Sequence, residues 1–218
     1  MSPQPIHAVL FDWDGTLLDS YHADMQAYLK MFRALGVTWG AEEVDRHYSP
    51  NWHRVYRAAG IPRSRWEEAD RLWARFYRQQ CPELLPGARR VLKALRRRYV
   101  LGLVTSGNRA RIRRQLREFQ FTSTFAAHVC AEDARHRKPH PAPLQEALRR
   151  LRLPAAACVY VGDAPEDIEM ARRAGVRAVA VLGPFPTHRR LRAARPIALL
   201  KSIRELPRLL RSLDSQRD

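Results

Sequence analysis

Cysteine is scarce in this chain of 218 residues, and its distribution argues against two structures that depend on cysteine. The three cysteines are widely spaced, odd in number and without a Cys-x-x-Cys pair (Cys81, Cys130 and Cys158). Neither a disulfide framework nor a structural zinc site is therefore predicted. Long apolar runs are also missing, since none approaches the roughly 18 residues that a membrane-spanning helix needs. The start of the chain does not resemble a signal peptide, so we expect a cytoplasmic protein without a membrane partner.

Lysine is rare although the chain is strongly basic. Four of the 39 basic residues are lysines (Lys30, Lys93, Lys138 and Lys201), and the formal net charge is +17. A nucleic acid or another polyanion is one partner that such a charge could indicate. The arginine clusters, however, fall in different predicted elements, which favours arginines spread over solvated helix faces. Nucleic-acid binding is therefore the less favoured alternative.

Two aspartates follow the first apolar run of the chain. The apolar residues 8–10 lead into an Asp-x-Asp-Gly-Thr sequence that starts at Asp12, which predicts a buried strand that stops abruptly. Asp12 could serve there as a nucleophile or a metal ligand, and Asp14 as a general acid or base. Gly15 relieves the backbone where the strand ends, and Thr16 supplies a hydroxyl group. The alternative is an ordinary Asp-Gly turn.

Strands and helices alternate in the second half of the sequence. Apolar runs predict strands at 100–104, 127–130, 157–161, 178–182 and 197–200, and helical spacing predicts helices at 88–97, 109–119, 142–151, 166–174 and 202–213. This alternation predicts an α/β fold with a Rossmann-like, doubly wound parallel sheet. Between residues 19 and 81 only helical patterns occur, beginning with a helix over 21–35, and residues 82–87 are predicted to be a linker.

The end of the strand at 100–104 carries small polar residues. Thr105, Ser106, Gly107 and Asn108 come directly before a predicted helix. Hydroxyl groups and free backbone amides at such a position could hold a phosphoryl oxygen. Ser106 or Asn108 could equally be an ordinary helix N-cap.

Two further segments carry charged groups near strand ends. Lys138 lies in a Lys-Pro-x-Pro sequence, and its compact ammonium could neutralise both a carboxylate and a phosphoryl group. Asp163 and Asp167 belong to a Gly-Asp-x-x-x-Asp sequence after the strand at 157–161, and carboxylates from separate strand ends suit Mg²⁺. The alternatives are a solvated lysine in a proline-rich turn and acids that favour the start of a helix.

Together these four segments resemble the four ordered motifs of the haloacid dehalogenase superfamily, in its phosphatase branch. The resemblance covers nearly the whole chain and is closest to the phosphoglycolate phosphatase group, which also includes pyrophosphatases and sugar-phosphate phosphatases. It implies a core domain of residues 1–18 and 84–218. Residues 19–83 resemble the small all-helical cap domain of that superfamily.

The resemblance implies a Mg²⁺-dependent phosphatase that hydrolyses a small phosphomonoester, phosphoglycolate-like or a sugar phosphate, through an aspartyl-phosphate. Asp12 would attack phosphorus, and Asp14 would protonate the leaving oxygen and then activate water. Thr105 and Lys138 would hold the transferring oxygens, and Asp167 would orient Lys138 or a metal-bound water. The expected metal ligands are Asp12, Asp14, through its backbone carbonyl, and Asp163. Further substrate contacts are expected from Thr16, Ser106, Gly107 and Asn108.

Several alternatives remain open. A dehalogenase is disfavoured because phosphatases carry an aspartate where this chain has Asp14. A sugar phosphomutase is disfavoured because those relatives usually have a cap histidine at the position of Asp24. A nucleic-acid end phosphatase or polyanion binder that uses the basic surface is also considered, as is a catalytically silent protein, although the intact motifs argue against the latter. The protein is expected to be a monomer or a homodimer, and candidate cap contacts to the substrate are Tyr21, His22, Trp52 and Arg54.

Overall fold

The computed structural model describes residues 4–215, which form eight strands and ten α-helices. The strands are β1 (Ala8–Phe11), β2 (Leu18–Asp19), β3 (Glu83–Leu84), β4 (Val100–Val104), β5 (Ala127–Val129), β6 (Cys158–Gly162), β7 (Arg177–Val181) and β8 (Ala198–Leu200). The helices are α1 (Tyr21–Leu35), α2 (Ala41–His47), α3 (Trp52–Ala58), α4 (Trp66–Tyr77), α5 (Ala88–Leu95), α6 (Arg109–Glu118), α7 (Ala142–Leu151), α8 (Pro165–Arg173), α9 (His188–Ala193) and α10 (Leu206–Ser215). None of the helices within 4–215 is long and apolar enough to cross a membrane.

Six of the strands form one parallel sheet in the order β5-β4-β1-β6-β7-β8. The first strand lies inside this sheet, where Phe11 is opposite Leu103 on one side and Val161 on the other. Continuous apolar runs such as Ala-Val-Leu-Phe suit strands that are covered on both faces. The predicted doubly wound α/β fold is therefore confirmed.

Alternate residues of the strands supply the two layers of the core. Val9 and Phe11 pack with apolar residues of α5, α6 and α10 on one face. Ala8 and Leu10 pack with apolar residues of α7, α8 and α9 on the other face. Because successive side chains of a strand point to opposite faces, one short apolar run contributes to both layers.

Residues 19–83 form a separate helical layer with its own apolar core. The helices α1 and α4 pack against each other, and Tyr28, Phe32, Val55 and Tyr56 lie in the buried cluster between the four cap helices. The chain leaves the core through β2 and returns through β3, which pair antiparallel. We call residues 19–83 the cap and the rest of the described chain the core; the ends of the predicted core segments, 1–3 and 216–218, lie outside the described residues.

The structure differs from the sequence-based expectation in its short elements. Residues 82–87, predicted as a linker, contain β3, and the two-residue pairing of β3 with β2 is too short to produce a periodic pattern. The helix α9 was not predicted, because its six residues lie between a proline-containing loop and further arginines. The helix predicted over 202–213 is a 3₁₀ turn over Ile203–Glu205 followed by α10. The other bounds agree or differ by at most two residues.

Candidate active site

The candidate site lies at the carboxyl ends of three neighbouring strands. Asp12 follows β1, Thr105 follows β4 and Asp163 follows β6. Because β1 is paired with β4 on one side and β6 on the other, these residues meet at one edge of the sheet. The amide of Asp12 donates to the carbonyl oxygen of Val161 at 2.9 Å, so the ladder fixes the chain as far as the first aspartate.

The buried ammonium of Lys138 connects the loop before α7 to this edge of the sheet. Its Nζ donates to Asp12 Oδ1 at 2.5 Å, to Asp167 Oδ1 at 2.8 Å and to the Tyr160 hydroxyl at 2.8 Å. All three protons of the ammonium are therefore used. Burial lowers the pKa of Lys138, but Asp12 and Asp167 outweigh this effect and raise it, so the side chain stays charged.

Asp167 has little capacity left for other ligands. Its Oδ1 accepts from Lys138 and lies 3.0 Å from the Tyr160 hydroxyl, and its Oδ2 accepts from the backbone amide of Ala164 at 3.1 Å. The carboxylate thus caps the start of α8 and holds the ammonium at the same time. Both of the uses considered for this aspartate from the sequence, helix start and lysine partner, occur together.

Burial and crowding of carboxylates dominate the electrostatics of Asp12 and Asp163. Burial raises the pKa of Asp12 to about 7; Lys138 acts in the opposite direction, and Asp167 and Asp14 add to the rise. The pKa of Asp163 is raised well above its usual value by burial, Asp12 and Asp167. The hydroxyl of Thr16 donates to Asp163 Oδ1 at 3.1 Å, which supports the ionised form but adds no charge.

The charge of this group fits a divalent cation. One carboxylate oxygen from each of Asp12, Asp163 and Asp167 lies within 4.8 Å of the others. Within residues 4–215, Lys138 is the one cationic side chain that forms a salt bridge to them. Hard oxygen ligands with an excess of negative charge suit Mg²⁺. Since Asp167 is already engaged through both oxygens, Asp12 and Asp163 are the side chains best placed to hold a metal.

Gly15 allows Asp163 to come this close to the first loop. Its φ of +79° lies in the left-handed region, and a Cβ atom built there would meet the carboxylate of Asp163 and the ring of Phe185. Glycine is therefore required at this position both for its conformation and for the close approach.

Asp14 is separated from this cluster and binds an arginine of the core. Its two carboxylate oxygens accept from Arg111 Nη1 at 2.8 Å and Nη2 at 2.6 Å. The Arg111 guanidinium carbon lies 4.9 Å from the ring centre of Tyr77 and 5.7 Å from that of Trp73, both on the cap helix α4. A bidentate pair of this kind fixes the orientation of the carboxylate. It also links the first loop of the core to the cap.

The loop after β4 is held by its own side chains. The Thr105 hydroxyl accepts from the amide of Gly107 at 2.9 Å, and Asn108 Oδ1 accepts from the amide of Arg111 at 2.8 Å as the N-cap of α6. Ser106, Gly107 and Asn108 line the cavity above Asp12. The amide of Gly107 is thus engaged within the loop, whereas the Thr105 hydroxyl keeps its own proton for a further acceptor.

Comparison with known proteins places this geometry in a family. Residues 9–181 match the family model described as haloacid dehalogenase-like hydrolase. This chain belongs to that family. The PpaX protein of Caldanaerobacter subterraneus is 29% identical over 214 residues, which cover 96% of each chain. The pyrophosphatase PpaX of Bacillus mycoides is 28% identical over 206 residues, 92% of this hydrolase and 95% of that protein.

Solved structures share the fold of this hydrolase at lower identity. A predicted phosphoglycolate phosphatase from Haemophilus somnus is 19% identical with a TM-score of 0.83, over 94% of this hydrolase and 97% of that chain. CbbY from Rhodobacter sphaeroides, solved with phosphate, is 23% identical with a TM-score of 0.79, over 92% and 96% of the two chains. The predicted membership of the superfamily and of its phosphatase branch is confirmed, as is the prediction of an enzyme of this hydrolase class.

The space above Asp12 is a cavity of about 360 Å³ between core and cap. Of the four cap residues suggested from the sequence, Trp52 lines it. Tyr21 instead donates to Asp45 and packs against Phe185 of the core. Asp24 also lines the cavity, and burial together with Asp14 raises its pKa to about 7, while Arg111 acts in the opposite direction.

Sequence reasoning did not find two residues of this hydrolase site. Tyr160 shares Lys138 with Asp12 and Asp167, but in the sequence it stands among the apolar residues of a buried strand. A hydroxyl two residues before the Gly-Asp pair was the available signal. No sequence pattern singles out Arg111, because it is one arginine among many and its partner Asp14 is 97 residues away.

Proposed function

We propose that this hydrolase is a Mg²⁺-dependent phosphatase that cleaves a small phosphomonoester through an aspartyl-phosphate on Asp12. The observation that supports it most is the buried group of Asp12, Lys138, Asp163 and Asp167 at the sheet edge, in which one ammonium binds two of three clustered carboxylates. Such a group keeps a carboxylate close to cations that can neutralise a phosphoryl group.

In the first step Asp12 is the nucleophile. Lys138 binds Oδ1, so Oδ2 is the oxygen that attacks. A bond forms between Oδ2 and phosphorus, and the bond from phosphorus to the leaving-group oxygen breaks. The Thr105 hydroxyl would hold one oxygen of the transferring group, and Lys138 would hold another by giving up one of its three hydrogen bonds. Ser106 and Asn108 line the cavity that the substrate would enter. The leaving oxygen takes a proton from Asp14.

In the second step Asp14 takes a proton from the water that attacks the aspartyl-phosphate, which releases phosphate and restores Asp12. Both Asp14 oxygens accept from Arg111, an arrangement that suits a base. Protonation of Asp14 for the first step requires Arg111 to release one of these oxygens. Arg111 is thus a positioning residue for the proposed acid and base.

The metal would be held by Asp12 and Asp163 together with the backbone carbonyl of Asp14. It would supply positive charge that offsets the repulsion between an anionic nucleophile and an anionic substrate. Thr16 would keep Asp163 oriented through its hydrogen bond to Oδ1, rather than contact the substrate.

The test of this proposal is phosphate release from acetyl phosphate by the full chain and by Asp12→Asn, with Mg²⁺ and with EDTA. Asp12→Asn should lower turnover by about 10³-fold or more, because the nucleophile is lost. Brief reaction with radiolabelled substrate should leave phosphate bound to the wild type in a form that hydroxylamine removes. The matched control is Asp19→Asn, which alters an exposed aspartate on the pairing strand β2. Undiminished turnover by Asp12→Asn would contradict the proposal.

A further inference from the structure

The cap wall of the cavity carries aromatic rings and acids. Five rings from three cap helices and the loop before α3 line it (Tyr28, Tyr48, Trp52, Tyr56 and Trp73). Two cap carboxylates, Asp24 and Asp70, line it as well. Flat aromatic faces bind apolar or ring-shaped surfaces, and carboxylates accept hydrogen bonds from hydroxyl or amino groups.

Cationic side chains of the cap are absent from this wall. Residues 19–83 contain ten lysines and arginines, yet none of them lines the cavity. Although the whole chain has a net charge of +17, the charged cap residues that line the cavity are therefore both acidic. A second anionic group on the substrate would face Asp24 and Asp70 without a cap cation to bind it.

The two arginines that reach the cavity from the core both have acidic neighbours. Arg111 binds both oxygens of Asp14. Arg137 stacks on the ring of Trp52, with its guanidinium carbon 4.1 Å from the ring centre, and lies close enough to Asp70 to interact with it electrostatically. Arg137 is thus the one arginine at the cavity without a carboxylate bound to it among the described residues, and Asp70 offsets its charge toward a carboxylate or phosphate on the leaving group.

Some donors at this wall have no acceptor. Within residues 4–215, the buried Nε1 of Trp52 and Nε of Arg137 make no hydrogen bond. Buried donors without partners are costly, and a ligand that brings hydroxyl, carbonyl or ring-nitrogen acceptors would satisfy them. The cavity volume of about 360 Å³ lies in the range of ligand pockets and exceeds what phosphate alone requires.

We propose that this hydrolase selects phosphate monoesters of uncharged, ring-bearing alcohols, and that its cap wall disfavours a leaving group with a second anion. The ring lies against Trp52 and the neighbouring tyrosines, and its hydroxyl or amino groups donate to Asp24 and Asp70. A pyranose and a nucleoside both offer this chemistry. The inference rests on the proposed phosphatase function and narrows its substrate class away from phosphoglycolate and pyrophosphate.

The first experiment compares kcat/KM in Mg²⁺ for substrates that differ in the leaving group. Glucose 6-phosphate and adenosine 5′-monophosphate have leaving groups with the two kinds of ring. The leaving group of glycerol 3-phosphate is uncharged and has no ring, and those of phosphoglycolate and pyrophosphate carry a second anion. At least one ring ester should exceed both anionic compounds by about tenfold or more. Comparison of the two ring esters shows whether the preferred leaving group is a sugar or a nucleoside. An anionic compound that equals or exceeds both ring esters overturns the inference, as does glycerol 3-phosphate equal to them.

The second experiment removes one negative charge from the cap wall. Asp70 accepts the Tyr56 hydroxyl at 3.0 Å, and Asn at this position keeps an oxygen for that bond. Asp70→Asn should lower the preference for ring esters over phosphoglycolate by about tenfold. The matched control is Asp45→Asn, since Asp45 accepts the Tyr21 hydroxyl in the same way but does not line the cavity. Equal effects of the two variants, or no effect of Asp70→Asn, would overturn the inference.

Acetyl phosphate separates the two proposals, because its small leaving group does not test the cap wall. Turnover of acetyl phosphate that requires Asp12, combined with a preference for anionic compounds, refutes the substrate class alone. If neither acetyl phosphate nor any other compound is hydrolysed, the phosphatase proposal fails and the substrate class fails with it.

Discussion

At the scale of single residues, the buried charges of the site do not balance. One ammonium binds Asp12 and Asp167, and Asp163 has only the neutral Thr16 hydroxyl as a hydrogen-bond donor among the described side chains. Like charges held together away from water cost folding free energy unless a cation or a proton compensates them. We therefore expect this cluster of carboxylates to lower the free energy of unfolding of the metal-free protein.

Asp163→Asn should therefore make the metal-free protein more stable. In EDTA near neutral pH, the free energy of unfolding should rise by about 1–2 kcal/mol, because the variant removes a buried charge and Asn can still accept from Thr16. Urea unfolding measures this change. Addition of Mg²⁺ should raise the unfolding midpoint of the wild type and leave that of the variant nearly unchanged. A variant that is less stable than the wild type in EDTA would show that the carboxylates are compensated in another way.

The residues of the site differ in how far the sequence reveals them. Asp12 and Asp163 each follow a strand, and Lys138 lies in a Lys-Pro-x-Pro loop, so the sequence singled out these three residues as candidates. Tyr160 could not, since a strand buried on both faces hides one polar group among apolar neighbours. Arg111 could not either, because its role depends on a contact with a distant loop. Short sequence patterns thus identify the candidate reactive residues. The residues that hold them in place are found only from contacts between distant parts of the chain.

At the scale of elements, α6 connects the first loop of the core with the cap. It begins at the Asn108 cap, and one turn later Arg111 reaches Asp14 and the rings of α4. The helix start therefore sets the position of the guanidinium. A single side chain holds the orientation of the proposed acid and base.

Arg111→Met should lower kcat by roughly 10²-fold, because Asp14 loses both hydrogen bonds that orient it. Steady-state kinetics with acetyl phosphate measures the change, and circular dichroism checks that the fold is kept. The control is Arg117→Met on the same helix, where the arginine is exposed and a small effect is expected. Partial recovery by Arg111→Lys would support a positioning role, whereas equal loss in both helix variants would argue for general damage to α6.

The edge strand β5 carries a pH-sensitive contact. Burial lowers the pKa of His128, Arg113 and Arg150 lower it further, and Asp133 acts in the opposite direction. The neutral form is therefore favoured in the folded chain, and protonation favours the unfolded chain. This contribution to stability is complete above the ordinary histidine pKa near 6.5 and is lost as the pH falls below it.

His128→Gln should reduce the loss of stability between about pH 7.5 and about pH 5.5. Other groups titrate in the same range, so the comparison is between the wild type and the variant rather than between two pH values alone. Urea unfolding midpoints at the two pH values give the difference. An unchanged pH dependence in the variant would mean that His128 is protonated equally well in the folded protein.

Elements with a complete apolar pattern were predictable from the sequence. The strands β1, β4, β6 and β7 and the helices α1 and α6 were predicted within two residues, since each has a complete apolar pattern. The pairing of β2 with β3 was missed because two residues in each strand carry no period. Its presence depends on two parts of the chain that are far apart in sequence.

At the scale of the whole molecule, much of the excess positive charge remains at the surface. Some arginines are neutralised locally, as where Glu146 binds Arg149 and Arg150, but the net charge is still +17. Such a field attracts anionic substrates at low ionic strength, and salt screens it.

We therefore expect kcat/KM for a phosphate monoester to fall roughly fivefold between about 20 mM and about 500 mM NaCl, with kcat nearly constant. Initial rates at constant Mg²⁺ measure both parameters. A glycerol series at matched viscosity controls for diffusion. A kcat/KM that does not change with salt would show that the surface arginines do not act on substrate encounter.

The helices α1 to α4 could be predicted as an all-helical stretch, because the strand patterns of the sequence resume only after it. The cavity wall could not, since the rings and acids that form it are scattered over residues 24–73 and most of the cap's aromatic residues also supply its apolar core. Which face of each cap helix meets the core is decided by packing between the two parts.

The paired strands β2 and β3 have a consequence for how such a protein can change. Because Asp19 and Glu83 stand opposite each other, the chain departs from and re-enters the core at nearly the same point. The 63 residues between 19 and 83 therefore form an insert whose two ends lie side by side, a geometry that another insert with equally close ends would match without moving any strand of the parallel sheet. The part of the chain that we propose to select the substrate can thus vary in sequence while the strands before Asp12 and Asp163 stay in place.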